Sequence, residues 1–175
     1  MVFGAGPIGL ATLVAAVHGG ARVLSVDPVA SRRDLAKRLG AELVAWAPPA
    51  ELMELTREWT GGEGSPLIVE TSGEAGVLAQ AVELAPSAGR VVVVSLSSGT
   101  APVRPGAFPE KEIDVIGSSC ATAADFAAAI RLVVASRADI AQLFSHHFPL
   151  ARAAEAFEFA MSRPPDAIKI VVTVN

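Results

Sequence analysis

The sequence predicts an α/β fold: a doubly wound parallel sheet of six strands, followed by a C-terminal extension of helices and strands. Three observations predict it. Apolar runs of strand length alternate with segments of helical period, Gly or Pro closes the segments, and "MVFGAGPIGL" places a glycine-rich turn between the first run and the first helix. At 175 residues, 51% of them hydrophobic, the chain can bury one sizeable core but is too short for two full-sized domains.

Taken in order, the first strand spans Val2 to Gly4, and so little chain precedes its turn that the start reads as clipped. Pro7 sits where a helix needs no N–H, and Gly19 and Gly20 close that helix. A strand over Arg22–Val26 leads to a helix over Ser31–Leu39 that Gly40 stops. The next pairs are a strand over Glu42–Ala45 with a helix over Pro49–Thr60, and a strand over Leu67–Thr71 with a helix over Glu74–Ala85. A fifth strand covers Arg90–Leu96, and its β-branched run Val91–Val94 predicts a strand covered on both faces. The sixth is Ile113–Gly117. Beyond it come two longer amphipathic helices, Ala123–Ser136 and Leu150–Ser162, with short strands at Ser145–Phe148 and Ile168–Val174, an order that does not read as a βαβ crossover. The boundary falls near Ser118, giving units 1–118 and 119–175.

Composition excludes several classes of function. A net charge of -4 with scattered basic residues leaves no electrostatic footprint for nucleic acid. Met1 to Ala21 carries no Lys, Arg, Asp or Glu, but it lacks a basic n-region, and the glycine turn with Pro7 would interrupt a membrane helix. The single Cys120 can form no intramolecular disulfide, which fits a reducing cytoplasm, and it reads as a small buried hydrophobe. His18 suits the end of its helix, and adjacent His146 and His147 point to opposite faces of a strand. No Cys, His and Glu spacing makes a zinc site. Gly117 to Ala121 follows a strand as a hydrolase nucleophile elbow does, but it lacks the second glycine and the triad partners.

The chemistry concentrates at the glycine turn. The spacing Gly4-x-Gly6-x-x-Gly9 permits a tight turn, close approach of a pyrophosphate and close packing of helix on strand, with amides from Ile8 onward aimed at the phosphates. A plain turn without ligand would show the same three glycines. Asp27, ending the second strand, stands where a carboxylate accepts from the adenosine ribose and repels a 2'-phosphate, so NAD is favoured over NADP; its other reading is a cap before Pro28. Arg32 and Arg33 read either as adenosine contacts or as solvated residues paired with Asp34 or Glu42. Thr71, Ser72, Gly73 and Ser95, Leu96, Ser97 end the fourth and fifth strands, where the nicotinamide half of a dinucleotide would lie.

"VFGAGPIGLATLVAAVHGGARVLSVDPVASRRDLAKRLGAE", "LIVETSG", "GRVVVVSL", "EKEIDVIGS" and "HHFPLARAAEAFEFAMSRPPDAIKIVV" resemble, in order, the landmarks of the medium-chain dehydrogenase/reductases, specifically the zinc-dependent alcohol and polyol dehydrogenases. The resemblance implies a Rossmann domain in which Gly4, Gly6, Pro7, Ile8 and Gly9 form the pyrophosphate turn and Asp27 holds the ribose. It implies Arg32 near the adenosine, Thr71, Val94, Ser95 and Leu96 beside the nicotinamide, and Lys169 reaching the pyrophosphate; Ser95 replaces the family's usual glycine. It implies NAD as cofactor, and an alcohol or polyol substrate engaged only with the family's N-terminal catalytic domain. That domain carries the zinc ligands and precedes the glycine turn, and residues from Ser119 onward pack against it. Pairing of two copies through Ile113–Gly117 is the expected dimer contact. Hydride transfer between a secondary alcohol and NAD is the activity implied for the complete enzyme. A non-catalytic NAD-binding module, whether relic or partner subunit, is the alternative, and a flavin site is a third option.

Overall fold

A computed structural model describes residues 1–97 and 99–174; Asn175, the last residue of the expected second unit, lies outside the described residues. Six parallel strands run in the order β3-β2-β1-β4-β5-β6. They are β1 (Val2–Phe3), β2 (Leu24–Val26), β3 (Leu43–Ala45), β4 (Leu67–Glu70), β5 (Arg90–Val93) and β6 (Asp114–Gly117). Short as it is, β1 sits at the centre: Val2 pairs with Ser25 and Val69, and Phe3 with Val26 and Glu70. The order reverses between β1 and β4, which opens a crevice at the carboxyl ends of those two strands.

Helices α1 (Pro7–His18), α2 (Ala30–Arg38), α3 (Pro49–Thr60) and α4 (Ala75–Leu84) cover the sheet. Adjacent β1 residues point to opposite faces, so Phe3 joins one core with Leu24, Val26, Leu52, Ile68 and Val91, while Val2 joins the other with Leu10, Leu13, Val14 and Leu35. This two-sided cover is why the strands read as continuous apolar runs.

The expected elements form, with four instructive differences. The fifth strand stops at Val93 and not Leu96, because the amides of Val94 and Ser95 both turn to the Glu70 carbonyl (2.9 and 3.3 Å) and the ladder ends. Only Val91 of its β-branched run is buried; Val92, Val93 and Val94 are half-buried. Between β5 and β6 lies an unanticipated short helix, α5 (Ala107–Lys111); its Pro109 falls in the first turn, where a missing N–H leaves no helical hydrogen bond unmade. Helix α6 (Ala123–Ala135), opened by a Thr122/Asp125 capping box, gives way at Ser136 to a short α7 (Arg137–Ala141).

The fourth difference corrects the reading of the C-terminal segment. Strands β7 (Phe144–Pro149) and β8 (Lys169–Thr173) pair in parallel and are joined through α8 (Ala153–Met161), so the segment is a βαβ unit after all. The sequence obscured it because β7 is irregular between Phe144 and His146, and because a 3-10 turn over Leu150–Arg152 precedes α8. Leu143 and Ile168 anchor this unit in the core beside α1 and α2. Cys120 is exposed, not buried: it stands with φ +61° in the turn after the edge strand β6.

Candidate functional site: a dinucleotide cradle at the carboxyl edge of the sheet

The glycine turn joins the end of β1 to α1, and each glycine has its own reason. Gly4 takes φ +92°, a conformation L side chains rarely adopt. A Cβ on Gly9 would stand 1.9 Å from the Gly4 carbonyl oxygen, so no other residue lets α1 sit this close to the strand. At Gly6 nothing lies within 4 Å of the Cβ position, and φ is -76°; neither internal sterics nor the backbone requires glycine there. The open space above Gly6 is what close approach of a pyrophosphate needs. The first α1 amide with a main-chain partner is Leu10, which donates to Gly6 O at 2.9 Å. Those of Ile8 and Gly9 make no hydrogen bond among the described residues, leaving donors at the positive end of the helix. Pro7 and Ile8 are exposed beside them.

Asp27 is 4% exposed and ties two turns together. Oδ2 accepts from the Ala5 amide at 2.7 Å, inside the glycine turn, and Oδ1 accepts from the Val29 amide at 2.8 Å, ahead of α2. Each oxygen keeps acceptor capacity for a hydroxyl. Arg33, not Arg32, lies along this strand end: its Nη1 donates to the carbonyls of Asp27 (2.7 Å) and Pro28 (2.8 Å). Arg32 instead donates to the carbonyls of Pro165 and Ala167, latching α2 to the loop before β8. Neither arginine pairs with Glu42, which holds Arg22.

Thr71 is drawn under the glycine turn, its hydroxyl donating to Phe3 O at 2.7 Å and standing 2.8 Å from the Cβ positions of Gly4 and Gly9. It braces the crevice between β1 and β4. Val94 is half-buried and Leu96 fully exposed past the end of β5. Lys169 begins β8 with an exposed side chain, next to the stretch that Arg32 latches.

Sequence reasoning missed Glu70. It ends β4, is 2% exposed, and its Oε1 accepts from the Ser72 amide (2.7 Å), the Ser72 hydroxyl (2.5 Å) and the Gly73 amide (3.2 Å). Oε2 accepts from the Ser95 hydroxyl. The available signal was a lone carboxylate closing the apolar run Leu67–Glu70, in a sheet buried on both sides.

A cavity of about 690 Å³ is lined by Met1, Thr12, Trp59 and Leu67 at the opposite, amino-terminal edge of the sheet. Among the described residues there is no group of three or more His, Cys, Asp or Glu that could hold a metal ion. No helix among them is long and apolar enough to cross a membrane.

The sequence pattern of the zinc-binding dehydrogenases matches residues 7–135. The chain belongs to that family. It is 32% identical over 175 residues to a 2-dehydro-3-deoxy-L-galactonate 5-dehydrogenase of Pseudoalteromonas atlantica, covering 100% of this chain and 51% of that protein. To human sorbitol dehydrogenase it is 33% identical over 163 residues, covering 90% of this chain and 45% of the relative. The chain thus spans about half the length of the curated relatives it matches. The solved alcohol dehydrogenase of Thermotoga maritima superposes with a TM-score of 0.92 at 25% identity, over 99% of this chain and 49% of its own. An alcohol dehydrogenase from E. coli CFT073, solved with NADH, gives 0.83 at 26% identity, over 98% of this chain and 51% of its own. Zinc-type alcohol and polyol dehydrogenases therefore supply both the fold and the sequence relatives of this chain.

Proposed function

We propose that this chain is the NAD(H)-binding part of an alcohol or polyol dehydrogenase. The observation that carries the reading is the pairing of the unobstructed Gly6 cradle with buried Asp27, in a fold shared with a structure solved with NADH. Gly4, Gly6, Pro7, Ile8 and Gly9 hold the pyrophosphate and Asp27 the adenosine ribose, with Arg33 replacing Arg32 beside the adenosine. Thr71 and the Val94–Leu96 strand end flank the nicotinamide, and the exposed Lys169 reaches the pyrophosphate.

In the complete enzyme the dinucleotide exchanges a hydride with a secondary alcohol, and the galactonate-type and sorbitol relatives make a polyhydroxylated alcohol the proposed substrate class. The residues described here bind and orient the dinucleotide; no step through zinc is assigned to them. By themselves the 175 residues bind without turnover, as a cytoplasmic cofactor module. Residues 1–118 form the cofactor domain, and residues 119–175 carry the surface for a catalytic domain. Phe126, Ile130, Val133 and Val134 make an exposed apolar stripe on α6, and Phe157 and Met161 are exposed on α8. The open edge β6, with Val115 and Ile116 exposed, pairs with a second copy; a stable monomer in sedimentation overturns that contact.

Calorimetric titration with NADH and NADPH tests the reading. Saturable binding with preference for NADH is expected, and absence of binding overturns it. Zinc-dependent alcohol oxidation by the purified 175 residues would overturn the assignment of a binding-only role.

A further inference from the structure

We propose that Glu70 is a positioning residue for the nicotinamide half of the cofactor site, acting through Ser95; this rests on the dinucleotide reading above. In a doubly wound sheet the nicotinamide half lies over the second set of strands, here β4, β5 and β6. Two loops border that half, one leaving β4 through Thr71, Ser72 and Gly73, the other leaving β5 through Val94, Ser95 and Leu96. Glu70 holds both. Its side chain collects Ser72 and Gly73 on one oxygen and Ser95 on the other, while its carbonyl takes the amides of Val94 and Ser95. The loops touch as a result: a Cβ on Gly73 would lie 3.9 Å from the Leu96 carbonyl oxygen and from the Ser95 β-carbon.

This arrangement accounts for a serine where close approach of the nicotinamide ring favours glycine. The Ser95 hydroxyl donates into a carboxylate that is 2% exposed, so it is turned down into the protein and away from the open edge. The surface presented to the ring then carries the serine β-carbon but not its hydroxyl. A cavity of about 170 Å³ lies beside Glu70, lined also by Leu78, Val93 and Ala101, so Ser95 has room to reorient once its acceptor is lost.

The test compares NADH with ADP-ribose, which keeps the adenosine and pyrophosphate but lacks the nicotinamide. Glu70→Gln keeps the size but replaces one acceptor with a donor, so either Ser95 must reverse and accept, or the Ser72 and Gly73 amides lose their acceptor. Calorimetry should show the Kd for NADH rising about tenfold in Glu70→Gln, with that for ADP-ribose unchanged within about twofold. The emission of bound NADH should shift toward that of the free dinucleotide. Ser95→Ala, which keeps Glu70 and its β4 loop, should weaken NADH selectively by about threefold, and it carries the test if Glu70→Gln does not fold. Equal weakening of both ligands, or no change in either, overturns the positioning role. So does a wild-type chain that binds ADP-ribose as tightly as NADH. A wild-type chain that binds neither overturns the dinucleotide reading itself, and this role with it.

Discussion

Two buried carboxylates organise the carboxyl edge of the sheet in different ways. Asp27, at the end of β2, accepts from two main-chain amides among the described residues, those of Ala5 and Val29. Glu70, at the end of β4, accepts from two serine hydroxyls as well as amides, and reaches Ser95 on the neighbouring strand. The first locks the backbone of the glycine turn and leaves side chains little say. The second makes the geometry of the other half depend on particular side chains. The edge beside Asp27 is therefore fixed through the main chain, whereas the edge beside Glu70 depends on single side chains.

Substitutions and conditions that act on one half and spare the other break or sharpen this contrast, and on fold stability the largest effect is expected at Gly9. Gly9→Ala places a methyl 1.9 Å from the Gly4 carbonyl, so the chain should lose about 3 kcal/mol or more, read from its denaturant midpoint.

Asp27→Ala leaves the buried amide of Ala5 and the part-buried amide of Val29 without their acceptor, and should cost about 2 kcal/mol in thermal or denaturant unfolding while weakening NADH and ADP-ribose alike by tenfold or more. That equal loss is the converse of the selective loss expected at Glu70. The smallest effect on folding belongs to Gly6→Ala, which meets open space at an ordinary φ and should stay within about 0.5 kcal/mol of the parent. Its NADH affinity should nonetheless fall at least about tenfold, because the methyl occupies the phosphate approach. Unchanged affinity would reduce the glycine turn to a packing motif.

Features that depend on near neighbours in the chain were legible beforehand. The glycine spacing, Pro7 at the start of α1, Gly19 at its end and the apolar strand runs are each local. The role proposed for Asp27 was legible because it follows from its distance along the chain from the glycines. The role of Glu70 was not, since its partner Ser95 is 25 residues away and only strand pairing brings the two together. Arg32 and Arg33 are adjacent in sequence, and only the docking of residues 165–167 onto α2 decides which of them faces the strand end. The parallel pairing of β7 with β8 was hidden for the same reason, because register and direction are set across a gap in sequence that the helical period of α8 does not encode.

By itself the sequence determined the alternation of strands and helices, the glycine turn and the carboxylate beside it, because backbone sterics and hydrophobic period act over a few residues. Only the tertiary structure decided which polar side chains share a hydrogen bond, which arginine meets the site, and which apolar faces stay exposed on α6 and α8. These depend on contacts between distant segments, and their energies exist only once the sheet has assembled.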